Sequence, residues 1–230
     1  MSSEISVVYG DYDWTIYLLR TVDPSRHLDI WTQFDTDIQD TFNLMIKVNT
    51  DKCQWHQAQL PVSMGGFGLR SAVMHGMAAF TSSVVSTEAV QLAVSESSSH
   101  TDITRALLLL ERASGTFVTK ETVASSSQKL LSLDIDLHSQ TKLTNDTADS
   151  GSTRDIIRLK SLGLPKAGAW LNAVPSSHRN LHMRTQEFII VCRYRLGAFI
   201  YKHAGSVQPV TDLVMFSEIT QFRAVMRGIG

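Results

Sequence analysis

The clearest pattern in the chain is a row of apolar residues at helical spacing that follows a proline. Steps of three and four keep side chains on one face of an α-helix, so this row predicts an amphipathic helix of about 20 residues. We expect the aromatic members to face the core, and the acidic residues between them to face solvent. The row consists of Leu28, Trp31, Phe34, Ile38, Phe42 and Met45, and the acidic residues are Asp29, Asp35, Asp37 and Asp40.

Similar spacing recurs along most of the chain, and little of it alternates with the two-residue period of a strand. We therefore predict a mainly α protein: a multi-helix bundle followed by a smaller helical C-terminal part. Pro24 should end the first helix, because proline and the residue before it oppose helix continuation. The predicted helices cover 11–23, about 20 residues from Leu28, a short segment that carries Cys53 and Trp55, 71–85, 88–96, 100–113, 120–143, 154–163, 184–203 and 210–228.

Three glycines lie in LPVSMGGFGLRSA, residues 60–72, and two interpretations compete for them. A phosphate loop of the Walker type needs a Gly-Lys-Ser/Thr end, but Leu69 and Arg70 follow Gly68. A dinucleotide loop needs a third spaced glycine, where this chain has Ser71. We therefore expect a structural chain reversal, with Leu69 under the next helix and Ser71 as its N-cap. Its turn residues would be Pro61, Gly65, Gly66 and Gly68.

Composition places the chain among ordinary globular proteins, with 230 residues, 43% hydrophobic and 19% charged. Its two cysteines, Cys53 and Cys192, form no spaced ligand set, so we expect free thiols in a reducing compartment. The first residues lack the pattern of a secretory signal, and no apolar run is long enough for a membrane span. We predict an intracellular protein, cytoplasmic or nuclear, that has no membrane partner.

Charge changes sign along the chain. Residues 151–230 contain eleven Lys/Arg and four Asp/Glu, a net charge of +7, whereas residues 1–150 contain ten and eighteen, a net charge of −8. The polar stretch 144–154 lies at this change and predicts a linker between a helical domain, 1–143, and a basic helical part, 155–230. The basic part could face nucleic acid, or the two parts could attract each other.

Candidate catalytic or metal-binding groups are weak in this sequence. His178 and His182 have the i, i+4 spacing of a shared metal site but lack the intervening glutamate of a zincin. Asp134 and Asp136 lie two apart and would face apart on a helix. No Gly-x-Ser-x-Gly motif occurs. These patterns predict no catalytic residue, no metal and no cofactor.

Several short motifs, taken in order, resemble the thumb region that follows the palm in reverse transcriptases of non-LTR-type retrotransposons. They are the stretches YLLRTV at 17–22, WHQAQLP at 55–61, GGFGLRSA at 65–72 and AAF at 78–80. Two later segments, AGAWLNAVP at 167–175 and EF with RYRLG at 187–197, are similar to downstream blocks of the same family. The resemblance covers about 12–90 and 155–200 and implies a polymerase thumb-like fold.

The family's catalytic aspartates belong to a YxDD-type motif, and this chain contains no Asp-Asp pair. The resemblance thus implies a truncated or domesticated, non-catalytic fragment that contacts the backbone of an RNA or DNA duplex. It implies nucleic-acid contacts by Arg20, Arg70, Arg193 and Arg195. Other roles stay open: Arg70 could form a salt bridge or bind a loop carbonyl, and Arg193 or Arg195 could pair with Glu187. The alternative function is a helical protein-interaction or structural module that binds a protein partner.

Overall fold

The structure is a computed structural model and describes residues 17–94, 102–173 and 183–199. Its described part is built from α-helices and short 3₁₀ turns and contains no strand, so the mainly α prediction is confirmed. Residues 17–21 are helical. The helices that follow are α1 (Leu28–Ile46), α2 (Lys52–Gln59), α3 (Ala72–Val94), α4 (Thr104–Ser114), α5 (Lys120–Ser125), α6 (Gln128–Asp149), α7 (Thr153–Leu162) and α8 (Thr185–Leu196). The 3₁₀ turns are Pro24–Arg26, Val62–Met64 and Ala169–Leu171.

Helix α1 follows the predicted apolar row, but its register shifts at the C-terminal end. Trp31 and Phe42 are buried as expected, whereas Met45 is exposed and Ile46 is fully buried instead. At 3.6 residues per turn, the residue four positions after Phe42 lies on the same face of the helix, so Ile46 faces the core. Lys47 then ends the helix in the left-handed conformation, with φ of 55°.

The first apolar cluster joins the middle helices. Its buried members on α3, α4, α5 and α6 are Met77, Ala78, Phe80, Ala106, Leu110, Val123, Leu131 and Ile135, and Ile103 and Val118 join it from the connecting segments. Small residues on α3 also allow close packing of the helical residues 17–21, because a Cβ on Gly76 would lie 2.7 Å from Cδ2 of Leu19. Gly76 therefore sets how closely these two helical segments approach each other.

The second apolar cluster joins distant parts of the chain around the glycine-rich turn. Its buried members come from α1, α2, the turn and the α8 region: Phe42, Ile46, Ala58, Phe67, Cys192, Leu196 and Ala198. Leu69 is half-buried and packs against this cluster. Helix α8 thus packs against α1 and α2, which belong to the part predicted as a separate N-terminal domain.

The first six residues of the predicted linker at 144–154 form the last turns of α6. Thr144 and Thr147 donate their hydroxyl protons to carbonyl oxygens four residues earlier, at 2.8 and 2.7 Å, so these polar side chains fit within the helix. Thr147 is buried. The chain turns only at 150–152, where Gly151 has φ of 72° and Ser152 caps α7.

Other helix boundaries also differ from the predicted ones. Residues 88–94 continue α3 without a break, and α8 ends at Leu196, seven residues before the predicted end, because Gly197 is left-handed with φ of 68°. The predicted helix at 210–228, His178 and His182 lie outside the described residues. Among the described helices, none combines the length and the apolar character needed to cross a bilayer.

Candidate functional site

The glycine-rich turn reverses the chain between α2 and α3, and its amides donate to the preceding backbone. Gly66 donates to the carbonyl of Pro61 at 3.0 Å, and Gly68 donates to that of Leu60 at 2.8 Å. The amides of Phe67 and Leu69 donate to the carbonyl of Ala58. Amides that already have acceptors cannot form an anion-binding nest, so this geometry supports the chain reversal over a phosphate loop.

Two of the glycines are required for different reasons. A Cβ on Gly66 would clash with the backbone carbonyls of Leu60 and Gln57, so no side chain fits there. Gly65 is buried and has φ of 93°, in the left-handed region that glycine favours. A Cβ on Gly65 would lie 3.1 Å from Cβ of Leu162, so the turn also sets how closely α7 approaches.

Arg195 is the centre of this site, and its side chain lies inside the protein with 1% exposure. Its Nε donates to the carbonyl of Gly66 at 3.1 Å and its Nη2 to that of Val62 at 2.8 Å. The guanidinium also lies over the ring of Phe67, 5.7 Å from the centroid. Burial lowers the pKa of Arg195. A phosphate backbone cannot reach this group, so the structure places Arg195 as a support of the turn rather than a nucleic-acid contact.

Arg193 lies on the same helix and binds the end of α1. Its Nε donates to the carbonyl of Ile46 at 2.8 Å, and its Nη2 donates to that of Lys47 at 2.6 Å. A cation at a helix C-terminus satisfies unpaired carbonyls and interacts well with the helix dipole. Glu187 contacts Arg184 and not these two arginines in the described contacts.

Arg70 forms a salt bridge, which was one of the alternatives to nucleic-acid contact. Its Nη2 lies 2.5 Å from Oδ2 of Asp136 on α6, and the Arg70 side chain is 41% exposed while the carboxylate is 2% exposed. Nε2 of His75 lies 3.4 Å from the other oxygen of Asp136. This pair joins the start of α3 to the middle of α6.

Arg20 is exposed, as Arg70 is, and its described hydrogen bonds go to one side chain. Its Nε and Nη2 donate to Oε1 of Gln128 at 3.0 and 2.7 Å, and all of these groups are exposed. Arg20 therefore lies at the start of α6, away from the turn that holds Arg195. The four predicted arginines do not form one surface in this structure.

Sequence reasoning missed Gln57 and Arg158, which complete the site. The buried amide of Gln57 donates to the carbonyls of Gly65 and Arg195 at 3.0 and 2.9 Å, and its oxygen accepts from Arg158 at 2.8 Å. Arg158 also donates to the carbonyl of Arg195 and pairs with Asp155. The only sequence signal for Gln57 was its place in the WHQAQLP stretch.

Asp35 corrects the expectation that all the acidic residues of α1 face solvent. Its carboxylate accepts from the hydroxyl of Ser71 and from the amide of Ala72 at 2.7 Å, so it caps the start of α3. Burial raises the pKa of Asp35, although these hydrogen bonds act in the opposite direction. Ser71 is the N-terminal cap that the sequence predicted, since its oxygen accepts from the amide of Met74.

The described residues contain two free thiols and no cluster of metal ligands. No group of three His, Cys, Asp or Glu side chains in this part of the chain could hold a metal ion. Cys53 is exposed, whereas Cys192 is buried, and burial raises the pKa of its thiol to about 12. A thiol with such a pKa stays protonated near neutral pH and is a poor nucleophile.

Three exposed leucines on α6 form a surface that the sequence did not single out, which we call the leucine stripe: Leu130, Leu133 and Leu137. Their exposed fractions are 52%, 40% and 45%. Steps of three and four place them on one face of α6. Single exposed leucines are common, but a row of three on one helix marks a candidate interaction surface.

Beside the stripe, α6 and α7 enclose a cleft of about 170 Å³, which we call the α6–α7 cleft. Gln140 and Thr144 lie on its α6 side and continue the helical spacing of the leucine stripe. Its other lining residues include Leu60, Met64, Leu143 and Lys160. The helical spacing therefore places the cleft next to the stripe along α6, with the polar side chains of Gln140 and Thr144 at the junction.

Comparison with known proteins adds no relative. No protein-family model, curated protein or solved structure matches this chain.

Proposed function

We propose that this chain is a non-catalytic helical protein-interaction module. The observation that carries the proposal is the leucine stripe on α6, which leaves Leu130, Leu133 and Leu137 in water. Exposing such a row has a hydrophobic cost that a bound partner would remove. The stripe lies on a helix of 22 residues that is packed against α3, α4, α2 and α7, so it presents a firmly held surface.

The arginines that the sequence assigned to nucleic acid support this choice over duplex binding. Arg195 is buried, Arg193 binds the end of α1, and Arg70 is paired with the buried carboxylate of Asp136. Contacts of duplex-binding proteins to phosphates come chiefly from accessible cationic side chains. A thumb-like ancestry from a retroelement reverse transcriptase is part of the proposal, and the motif order from 17 to 80 supports it.

The second candidate function is contact with a nucleic-acid backbone. One observation favours it: Arg20 is exposed, and its described hydrogen bonds go to the neutral side chain of Gln128. A guanidinium with a neutral partner keeps its positive charge uncompensated locally and could attract a phosphate. One such group supplies a weak, salt-sensitive contact, so this candidate ranks below the interaction module.

An affinity-capture experiment with matched bait variants tests the interaction module. The baits are the full chain, its Leu133→Glu variant and its Lys142→Glu variant, which changes an exposed α6 residue away from the stripe. We expect a protein that binds the full chain and the Lys142→Glu bait and is lost from the Leu133→Glu bait. Circular dichroism would establish that both variants keep their helices. Identical capture by all three baits would contradict the proposal.

A further inference from the structure

The elongated surface of α6 has dimensions that suit a particular kind of partner. It runs from Leu130 at the start of the leucine stripe to Thr144 in the α6–α7 cleft. At about 1.5 Å per residue this is about 21 Å along the helix axis, or about four helical turns. A partner helix with apolar residues at i, i+3 or i+4 and i+7 could lie along it, as helices do in other apolar grooves.

Charge at the cleft end adds a requirement on the partner. Lys160 is exposed and lines the cleft, and no carboxylate forms a salt bridge with it among the described residues. The remaining residues of the cleft are uncharged: Leu60, Met64, Gln140, Leu143, Thr144, Thr147, Ile156, Leu159, Gly163 and Leu164. An apolar partner with a carboxylate at this end would therefore gain a charge-assisted contact that a neutral partner lacks.

We propose that the leucine stripe and the α6–α7 cleft bind an amphipathic α-helix of a protein partner, with an acidic side chain placed at Lys160. The inference rests on the proposed interaction function and states the chemistry of its partner. Apolar side chains of the partner cover Leu130, Leu133 and Leu137, and one of them enters the cleft beside Leu143. The acidic residue sets the direction in which the partner helix lies.

A synthetic probe tests this inference on the full chain. The probe is a fluorescein-labelled, alanine-based helix of about 18 residues, with a leucine row and a glutamate beyond each end of the row. In fluorescence anisotropy, we expect it to bind the full chain and to bind Lys160→Met about tenfold more weakly. The matched control is Lys166→Met, which removes an exposed lysine outside the cleft and should leave binding unchanged.

Each of the other outcomes would contradict a different part of the inference. Equal binding to the full chain and Lys160→Met would remove the role of Lys160, and no binding to the full chain would remove the helix-binding surface. Sedimentation that shows a dimer, lost in Leu133→Glu, would assign the surface to a second copy of this chain. Stripe-dependent capture of a protein would still support the interaction module after any failure of the probe, so the two proposals are separable.

Discussion

At the scale of single residues, the glycine-rich turn depends on a position where the backbone packs closely against itself. Gly66 has no room for a side chain, because the carbonyls of Leu60 and Gln57 occupy that space. Arg195 binds the same turn from the inside through Gly66 and Val62. Buried polar groups are costly unless they are hydrogen-bonded, and here the arginine and the turn carbonyls satisfy each other.

The two neighbouring glycines allow a matched comparison of stability. Gly66→Ala should lower the free energy of unfolding by about 3 kcal/mol or more, because backbone must move to relieve the clash. Gly68→Ala should cost only about 1 to 2 kcal/mol, since its φ of 77° is strained for alanine but its surroundings are open. Urea unfolding followed by circular dichroism measures both. Equal losses would show that steric contact at Gly66 is not what requires glycine.

The sequence contained part of the information on these residues. The triplet Gly65, Gly66 and Gly68 was sufficient to expect a turn, and the missing Walker lysine argued against a phosphate loop. Arg195 was predicted to contact nucleic acid, although it shares a helix flank with Cys192 and Leu196, which are buried. Its carbonyl partners come from residues 62, 66 and 167, and no local pattern could reveal such distant contacts.

At the scale of helices, α1 and α3 are joined by a cap that crosses between them. Asp35 is in the middle of α1, yet its carboxylate accepts from the first amides of α3. The first amides of a helix have no partner within the helix, so a carboxylate there satisfies them and interacts well with the helix dipole. The contact fixes the position of α3 against α1.

Removal of this cap has an expected cost. Asp35→Ala should lower the free energy of unfolding by about 1 to 2 kcal/mol, because it leaves amide donors at the start of α3 without their acceptor. Asp35→Asn keeps an oxygen acceptor and should recover part of the loss. Asp40→Ala on the exposed face of α1 is the control and should change stability little. Thermal or urea unfolding of the three variants measures the differences, and a loss for Asp40→Ala as large as for Asp35→Ala would contradict this role.

Helices were predictable where apolar spacing was strong, and their boundaries were not. The row from Leu28 to Phe42 located α1, whereas the polar composition of 144–149 concealed the end of α6. There, threonine hydroxyls bind backbone carbonyls of the same helix, which composition alone does not show. The leucine stripe was missed because an exposed leucine and a core leucine look alike in a sequence.

At the scale of the whole molecule, the charge count overstates how basic the accessible surface is. Residues 151–230 have a net charge of +7, but Arg158, Arg193 and Arg195 bind backbone carbonyls inside the fold. These guanidinium groups bind neutral backbone carbonyls of segments far apart in the sequence, so they are engaged within the protein. Among the described residues, the salt bridges lie within 1–150 or within 151–230, and the predicted attraction between the two parts stays a prediction.

This charge distribution predicts weak binding to nucleic acid. In filter binding with a primer–template duplex, we expect no retention of the full chain at about 50 mM salt, or at about 200 mM. Retention at the lower salt that disappears at the higher salt, and that Arg20→Ala abolishes, would instead establish the second candidate function. Arg195 is unsuitable for this comparison, because its replacement would disturb the turn.

The hydrogen bonds around residue 195 have a consequence for how the chain could be divided. The carbonyl oxygen of Arg195 accepts hydrogen bonds from Gln57 and Arg158, and its guanidinium donates to the turn at 62–66. Three stretches that are remote in the sequence therefore meet at this residue. A shortened version that stops before α8 would retain the glycines and lose the group that braces them from within. Any attempt to dissect this protein into independent pieces should therefore keep residues 57–66 and 158–195 on the same polypeptide.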